Sequence, residues 1–152
     1  MNSLEHLQQL FLYNDWANRR LIFALRDAPS EKALKLMAHI LITEREYFER
    51  LYGKDSTGFD FWQKLSREEC KELSLDNSEN FNRLLSKFDE EGLDFKASYK
   101  TSEGVAYQNT YREMLTHILF HSMNHRGQIN KVLREEGFEA IPIDYIIYLR
   151  QI

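Results

Sequence analysis

The segment from Thr110 to Gly137 constrains the fold most strongly, because it predicts one uninterrupted helix of about seven turns. Thr110 and Glu113 have the spacing of a capping box, in which each side chain binds the backbone N–H of the other residue. Gly137 is typical of the position just beyond a helix C-terminus. The chain has only two prolines and six glycines in 152 residues, so long helices are expected throughout.

Three of the five histidines, His117, His121 and His125, lie four residues apart within this segment. Residues with this spacing differ by about 40° around a helix and about 6 Å along it. Two such imidazoles can therefore converge on one metal ion. His117 and His125 would be about 12 Å apart along the axis, too far for both to form bonds of about 2.1 Å to one ion. One adjacent pair is expected to bind, and one histidine is left out.

A helical wheel favours His121 and His125 as the binding pair, because both lie within an apolar stripe, whereas His117 lies at its polar edge. The residues of that stripe are Met114, Ile118, Ile129 and Val132. The alternative is that these are ordinary buried or surface histidines with hydrogen-bonded rings and no metal. Two adjacent buried imidazoles are costly without a shared partner, and that cost is the argument for a metal site.

The rest of the chain predicts three more helices and a hairpin. The helices are expected at 3–26, 31–52 and 77–91, with a long connection over 53–76 that includes one helical turn at its capping-box sequence 66–69. Partial alternation on either side of a glycine-containing turn predicts a small β-hairpin from 95–100 and 105–109.

Two residues of the second predicted helix are further candidates for the site. His39 lies beside Leu36 and Ile40 and therefore faces inward, where it could supply a third metal ligand. A lone inward histidine is more often structural, so its value depends on the pair in the last helix. Glu44 follows on the same helix and could act as a base, or orient a ligand histidine. Most helix glutamates are simply solvated, and no other catalytic residue is identified.

Composition excludes several classes of function. We expect a single domain over 1–152, long enough to bury a substantial core. The net charge of −4 and the lack of a lysine or arginine cluster argue against nucleic-acid binding. The apolar runs are too short to cross a membrane, and the first residues lack a secretory signal, so a cytoplasmic protein is expected. Cys70 is the only cysteine, which excludes an internal disulfide.

The chain resembles the DinB-like (DinB/YfiT) superfamily of metal-binding four-helix-bundle proteins. The resemblance rests on His-Ser-Met-Asn-His-Arg-Gly-Gln-Ile at 121–129, His-Ile-Leu at 39–41, Tyr-Asn-Asp-Trp-Ala-Asn at 13–18 and Asp-Tyr at 144–145. It implies an all-α, up-down-down-up four-helix bundle that often forms homodimers. It also implies a divalent metal, zinc or nickel, held by His39, His121 and His125. His117 would lie outside that ligand set.

Arg126 and Gly127 directly follow the histidine pair, and neither is expected to bind the metal. Glycine within a helix costs about 1 kcal/mol relative to alanine. A close approach of another helix beside the site would account for Gly127; the alternative is that glycine is merely tolerated. Arg126 lies about 140° from His121 around the helix, so we expect it in a salt bridge or an interface rather than in catalysis.

Two functions fit these residues. Three neutral imidazoles leave a coordination position open, as in catalytic zinc sites. A metal there could lower the pKa of water for hydrolysis or activate a thiolate for transfer. Proteins similar to this family include S-transferases that use low-molecular-weight thiols such as bacillithiol or mycothiol. The first hypothesis is therefore a metal-dependent thiol S-transferase or hydrolase acting on a small molecule. The alternative is a non-enzymatic metal-binding or stress-response protein.

Overall fold

The computed structural model describes residues 1–152, which form four long helices, one antiparallel hairpin and a short C-terminal helix. These elements are α1 (Ser3–Ala24), α2 (Glu31–Arg50), α3 (Arg67–Lys87), β1 (Lys96–Lys100), β2 (Ala106–Thr110), α4 (Tyr111–Glu135) and α5 (Tyr145–Leu149), with a 3-10 turn at Glu91–Asp94. A polar side chain caps the N-terminus of each long helix, as the sequence predicts for α4. None of the helices is both long and apolar enough to cross a bilayer.

The four long helices form a bundle with the expected up-down-down-up order. The amide of Gln8 near the start of α1 donates to the Leu85 carbonyl near the end of α3 (3.2 Å), so these two helices are antiparallel. Phe48 and Phe81, late in α2 and α3, pack edge to face with ring centroids 5.5 Å apart, so those two helices are parallel. Helix α4 packs most extensively on α2 and runs in the opposite direction. The predicted fold class is therefore confirmed.

Helix α3 begins ten residues earlier than the sequence predicts, at Arg67 rather than at residue 77. The capping box at Ser66 starts a helix of 21 residues, not a single turn. The prediction was wrong because it assigned the residues between 69 and 77 to a connection, whereas the helix continues through Asn77, which is buried in mid-helix. The amide of Asn77 donates to the Leu41 carbonyl of α2 (3.0 Å), so a tertiary contact holds this part of the helix in the bundle. The helix ends at Lys87, four residues before the predicted end.

Helix α4 follows directly after the second strand of the hairpin, as the sequence predicts. Strands β1 and β2 pair antiparallel, with Lys96 opposite Thr110 and Tyr99 opposite Tyr107. Thr110 is both the last residue of β2 and the N-cap of α4, and it forms the predicted capping box with Glu113. This arrangement fixes where α4 starts and therefore the position of its histidines along the bundle.

The core consists of two apolar clusters separated by a polar layer. One cluster packs around Leu21, Ile40 and Ile129, and the other packs around Phe11 and Leu115. The buried polar residues of the intervening layer come from all four long helices and include Asn14, Asn18, Glu44, Asn77, Ser122 and Arg126. The histidines of α2 and α4 lie beside this layer, at the groove between those two helices.

Candidate metal centre

Helices α2 and α4 bring His39, His121 and His125 together. One ligand nitrogen from each ring lies within 4.8 Å of the other two. The ring centroids are 4.9 Å apart for His39 and His121, 4.7 Å for His39 and His125, and 4.5 Å for the pair in α4. The antiparallel packing of the two helices sets the middle of α2 against the middle of α4. Three donors of the type and number found in open zinc sites thus converge.

Hydrogen bonds orient two of these rings. The Nδ1–H of His39 donates to the backbone carbonyl of Phe61 at 2.8 Å, since a carbonyl oxygen can only accept. The Nδ1 of His125 donates to the side-chain oxygen of Gln128 at 2.7 Å. In both rings Nε2 is therefore the nitrogen with the free lone pair. A metal-binding histidine typically makes such a bond through its other ring nitrogen, because it fixes the tautomer and the ring orientation.

Trp62 covers one face of the cluster. Its ring stacks on His39 with centroids 3.7 Å apart and planes 1° from parallel. Trp62 and Phe61 belong to the connection between α2 and α3, so that connection both orients His39 and shields it. The sequence analysis did not assign either residue to the site. The available signal was the presence of three aromatic residues, Phe59, Phe61 and Trp62, in an otherwise turn-rich connection.

Burial favours the neutral form of two of the rings, His121 and His39. Burial lowers the pKa of His121 to about 3, and the neighbouring His125, His39 and His117 oppose its protonation further. Burial also lowers the pKa of His39, although the Phe61 carbonyl acts in the opposite direction. Nδ1 of His121 is buried and finds no hydrogen-bond partner in the chain. Neutral imidazoles with converging nitrogens are the form that binds a metal, so the residues fit a divalent ion.

His117 lies next to the cluster but not within it. Its ring centroid is 6.0 Å from that of His121 and 5.0 Å from that of Tyr47. This is the outcome that the helical wheel predicts, with one histidine of the three left out. His117 lines a cavity of about 250 Å³ one helical turn from His121. The other residues that line it are Tyr47, Tyr99, Asn109, Glu113 and Met114.

Glu44 occupies the buried polar layer and forms no hydrogen bond with any histidine of the centre. One carboxylate oxygen accepts hydrogen bonds from Asn14 (2.9 Å), Asn18 (3.0 Å) and Ser122 (2.7 Å). The other lies 3.4 Å from the amide nitrogen of Asn77. A carboxylate whose two oxygens are both engaged by other side chains is not available to orient a ligand ring. The hydrogen bonds of Glu44 therefore indicate a structural role.

Two amide side chains link Glu44 to a buried cation. Arg126 donates from one guanidinium nitrogen to the side-chain oxygens of Asn14 (2.6 Å) and Asn18 (2.9 Å), and the amide groups of both asparagines donate to Glu44. Burial lowers the pKa of Arg126, while Tyr13 and Glu44 oppose that shift. Arg126 was expected in a salt bridge or an interface; instead it is 2% exposed, makes no salt bridge and connects to Glu44 through the two asparagines. This connection joins α1, α2 and α4 beside the centre.

Comparison with known proteins identifies the family of this chain. The sequence model of the DinB family matches residues 1–151. The chain is also similar to Protein DinB of Bacillus subtilis (strain 168), with 26% identity over 160 aligned positions. That alignment covers 93% of this chain and 92% of the relative. A helical bundle, a hairpin before its last long helix and a family match over nearly every residue lead to one conclusion: the chain belongs to the DinB family.

Proposed function

We propose that this protein is a divalent-metal-dependent enzyme, a thiol S-transferase or a hydrolase that acts on a small molecule. His39, His121 and His125 would hold the metal, zinc or nickel. The supporting observation is the convergence of three ring nitrogens within 4.8 Å of one another, one helical turn from a cavity. A divalent ion bound there would supply Lewis acidity toward water or a low-molecular-weight thiol.

The chain contributes orientation, shielding and a proton acceptor. Phe61 and Gln128 fix two of the rings, and Trp62 covers the centre on one side. Both candidate reactions require a nucleophile, water or a thiol, to lose a proton. Partial desolvation and the charge of Arg50 lower the pKa of His117, so its ring is neutral near pH 7 and can accept a proton. His117 is therefore the general base that we propose at the wall of the cavity.

A panel of reactions with metal-loaded protein tests this function. Bacillithiol, mycothiol and glutathione would be paired with electrophilic acceptors, and ester and amide substrates would be assayed without a thiol. We expect turnover to fall at least about a hundredfold in His117→Ala, as for loss of a general base. It should disappear in His125→Ala. His6→Ala, an exposed histidine of α1, is the matched control and should retain full activity. Undiminished turnover after metal removal would exclude the metal mechanism.

A non-enzymatic metal-binding or stress-response role is the second candidate. The observation that favours it is the lining of the cavity near the centre, which includes His117 but none of the three clustered histidines. A metal held by three histidines that do not line the cavity would stabilise the bundle without contacting a substrate. Protein that binds metal tightly, gains stability from it and turns over no substrate in the panel would support this alternative.

We also propose that the protein forms a homodimer through the outer face of α4. Phe120 and Met123 are 62% and 55% exposed there, beside a groove of about 450 Å³. Gly127 lies on the same face, and a Cβ at that position would meet no atom within 4 Å. The expected approach of another helix of this chain to Gly127 is therefore wrong. A second copy of the chain could pack against the surface that these three residues form.

The double variant Phe120→Glu with Met123→Glu tests the dimer. It places two carboxylates per protomer in an apolar contact, so we expect a shift from dimer to monomer at micromolar concentration in light scattering. Tyr52→Glu changes an equally exposed aromatic residue elsewhere and should leave the molar mass unchanged. A wild-type protein that is monomeric across the same concentrations would contradict the proposal.

A further inference from the structure

A second groove, of about 360 Å³, lies between α1 and α3. The three histidines belong to α2 and α4, so this groove is on a different face of the bundle. Its floor is apolar and consists of Ile22 and Phe23 from α1 and Leu75 from α3. The volume is within the range of small-molecule sites, which typically combine an apolar surface with a few polar groups.

Four cationic side chains surround that floor: Arg19 and Arg26 from α1 and its C-terminal end, and Arg67 and Lys71 from α3. No acidic residue lines the groove. The protein as a whole carries a net charge of −4, so the groove is positively charged on a protein that is negatively charged overall. A concave surface lined by one sign of charge attracts ligands of the opposite sign.

The ion pairs around the groove leave these cations available. Arg19 pairs with Asp15 at 2.9 Å, Arg26 with Asp27 at 3.4 Å and Arg67 with Glu68 at 3.2 Å. The side chains of Arg19 and Arg26 are at least half exposed, and that of Arg67 is 28% exposed. Exposed pairs of this kind contribute about 0–1 kcal/mol, so a better anionic partner can replace them. Lys71 makes no salt bridge in the structure.

Two further contacts shape the site. One Nη of Arg67 donates to the Ile22 carbonyl at 3.3 Å across the groove, which holds this guanidinium at the junction of the two helices. Ser74 lines the groove as well, is 3% exposed and has a hydroxyl with no hydrogen-bond partner in the chain. An unpaired buried hydroxyl is costly unless a ligand or water satisfies it.

From this arrangement we infer that the α1–α3 groove binds a small organic anion, a phosphate monoester carried on an apolar or aromatic body. The phosphate oxygens match the forked donors of the arginines and the ammonium of Lys71, and the apolar body covers Ile22, Phe23 and Leu75. A soluble ligand fits better than a membrane surface, because the groove is concave and the protein is acidic overall. The inference does not depend on the metal centre.

Calorimetric titration of the purified full-length chain with octyl phosphate tests this site. We expect binding that weakens as salt rises, because charges at the rim are screened. Inorganic phosphate lacks the apolar body and octanol lacks the charge, so each should bind at least about tenfold more weakly. The double variant Arg26→Ala with Lys71→Ala should lose at least about tenfold in affinity for octyl phosphate.

The control variant Lys87→Ala with Arg134→Ala also removes one lysine and one arginine, but from exposed positions outside the groove. It should bind octyl phosphate as the wild type does, and backbone amide shifts on titration should map to residues 19–26 and 67–75. Equal losses in the two double variants, equal affinity for octanol, or no binding at all would overturn the site. Binding to phosphatidylglycerol vesicles but not to octyl phosphate would also overturn it and would indicate a membrane surface instead.

Discussion

Replacing His121 with alanine is expected to abolish stoichiometric metal binding. The wild type should hold about one zinc or nickel ion per chain, since three imidazoles suffice for a site with an open position. His121 is one of the three clustered rings, 4.9 Å from His39 and 4.5 Å from His125 by ring centroids. Its loss leaves two donors on different helices, so affinity should fall by more than about a hundredfold, beyond the usual effect of changing a supporting residue. Elemental analysis of tag-free protein measures this directly.

His117→Ala is the matched control for that variant. It removes a histidine from the same helix, four residues away, but His117 is not one of the three clustered rings. We expect its metal content to equal that of the wild type. Metal retained in His121→Ala, or absent from the wild type after reconstitution, would disprove the metal site and leave the histidines as a core network.

Metal binding should also raise the melting temperature of the protein. A ligand that binds only the folded state stabilises it by about 4 kcal/mol when its free concentration is 1,000 times Kd. The wild type and His117→Ala should therefore gain in melting temperature on adding zinc, and His121→Ala should gain little. This measurement does not depend on the identity of any substrate, so it remains informative if every activity assay is negative.

The sequence was most informative where local geometry sets the outcome. The spacing of His121 and His125 and the apolar stripe around them follow from helix periodicity alone, and so does the exclusion of His117. The capping box at Thr110 located the start of α4, whereas the one at Ser66 predicted only a single helical turn and not the whole of α3. The assignment of His39 depended on the family resemblance, because periodicity places it inward but does not say which residues of another helix it meets.

Tertiary contacts supplied the rest. Trp62 stacks on His39 from a connection that has no periodic pattern, so its aromatic character indicates packing but does not say which residue it packs on. Glu44 looked like a surface glutamate or a base, and only the packing of α1 and α4 shows that it pairs with Arg126 through two asparagines. The full length of α3 was missed for the same reason, since the partner of its mid-helix residue Asn77 is on α2.

The buried polar layer leads to the second large effect. Arg126→Met keeps the approximate length and apolar stem of the side chain but removes the cation that Asn14 and Asn18 connect to Glu44. Glu44 is 3% exposed, so its carboxylate would then lie in the core without a compensating charge. Removing one partner of a buried charge pair typically costs about 3–5 kcal/mol. For a chain of this size that corresponds to a fall of about 6–20 °C in melting temperature.

Urea unfolding of metal-free protein separates this effect from the metal centre. Adding Glu44→Gln to Arg126→Met removes both charges, so the double variant should regain part of the lost free energy of unfolding, with a coupling of at least about 1 kcal/mol. Arg134→Met makes the same substitution at an exposed position of α4 and should change stability by less than about 0.5 kcal/mol. If Arg126→Met were as mild as Arg134→Met, the asparagine bridge would not hold the bundle together. The polar layer would then need another reason for crossing all four helices.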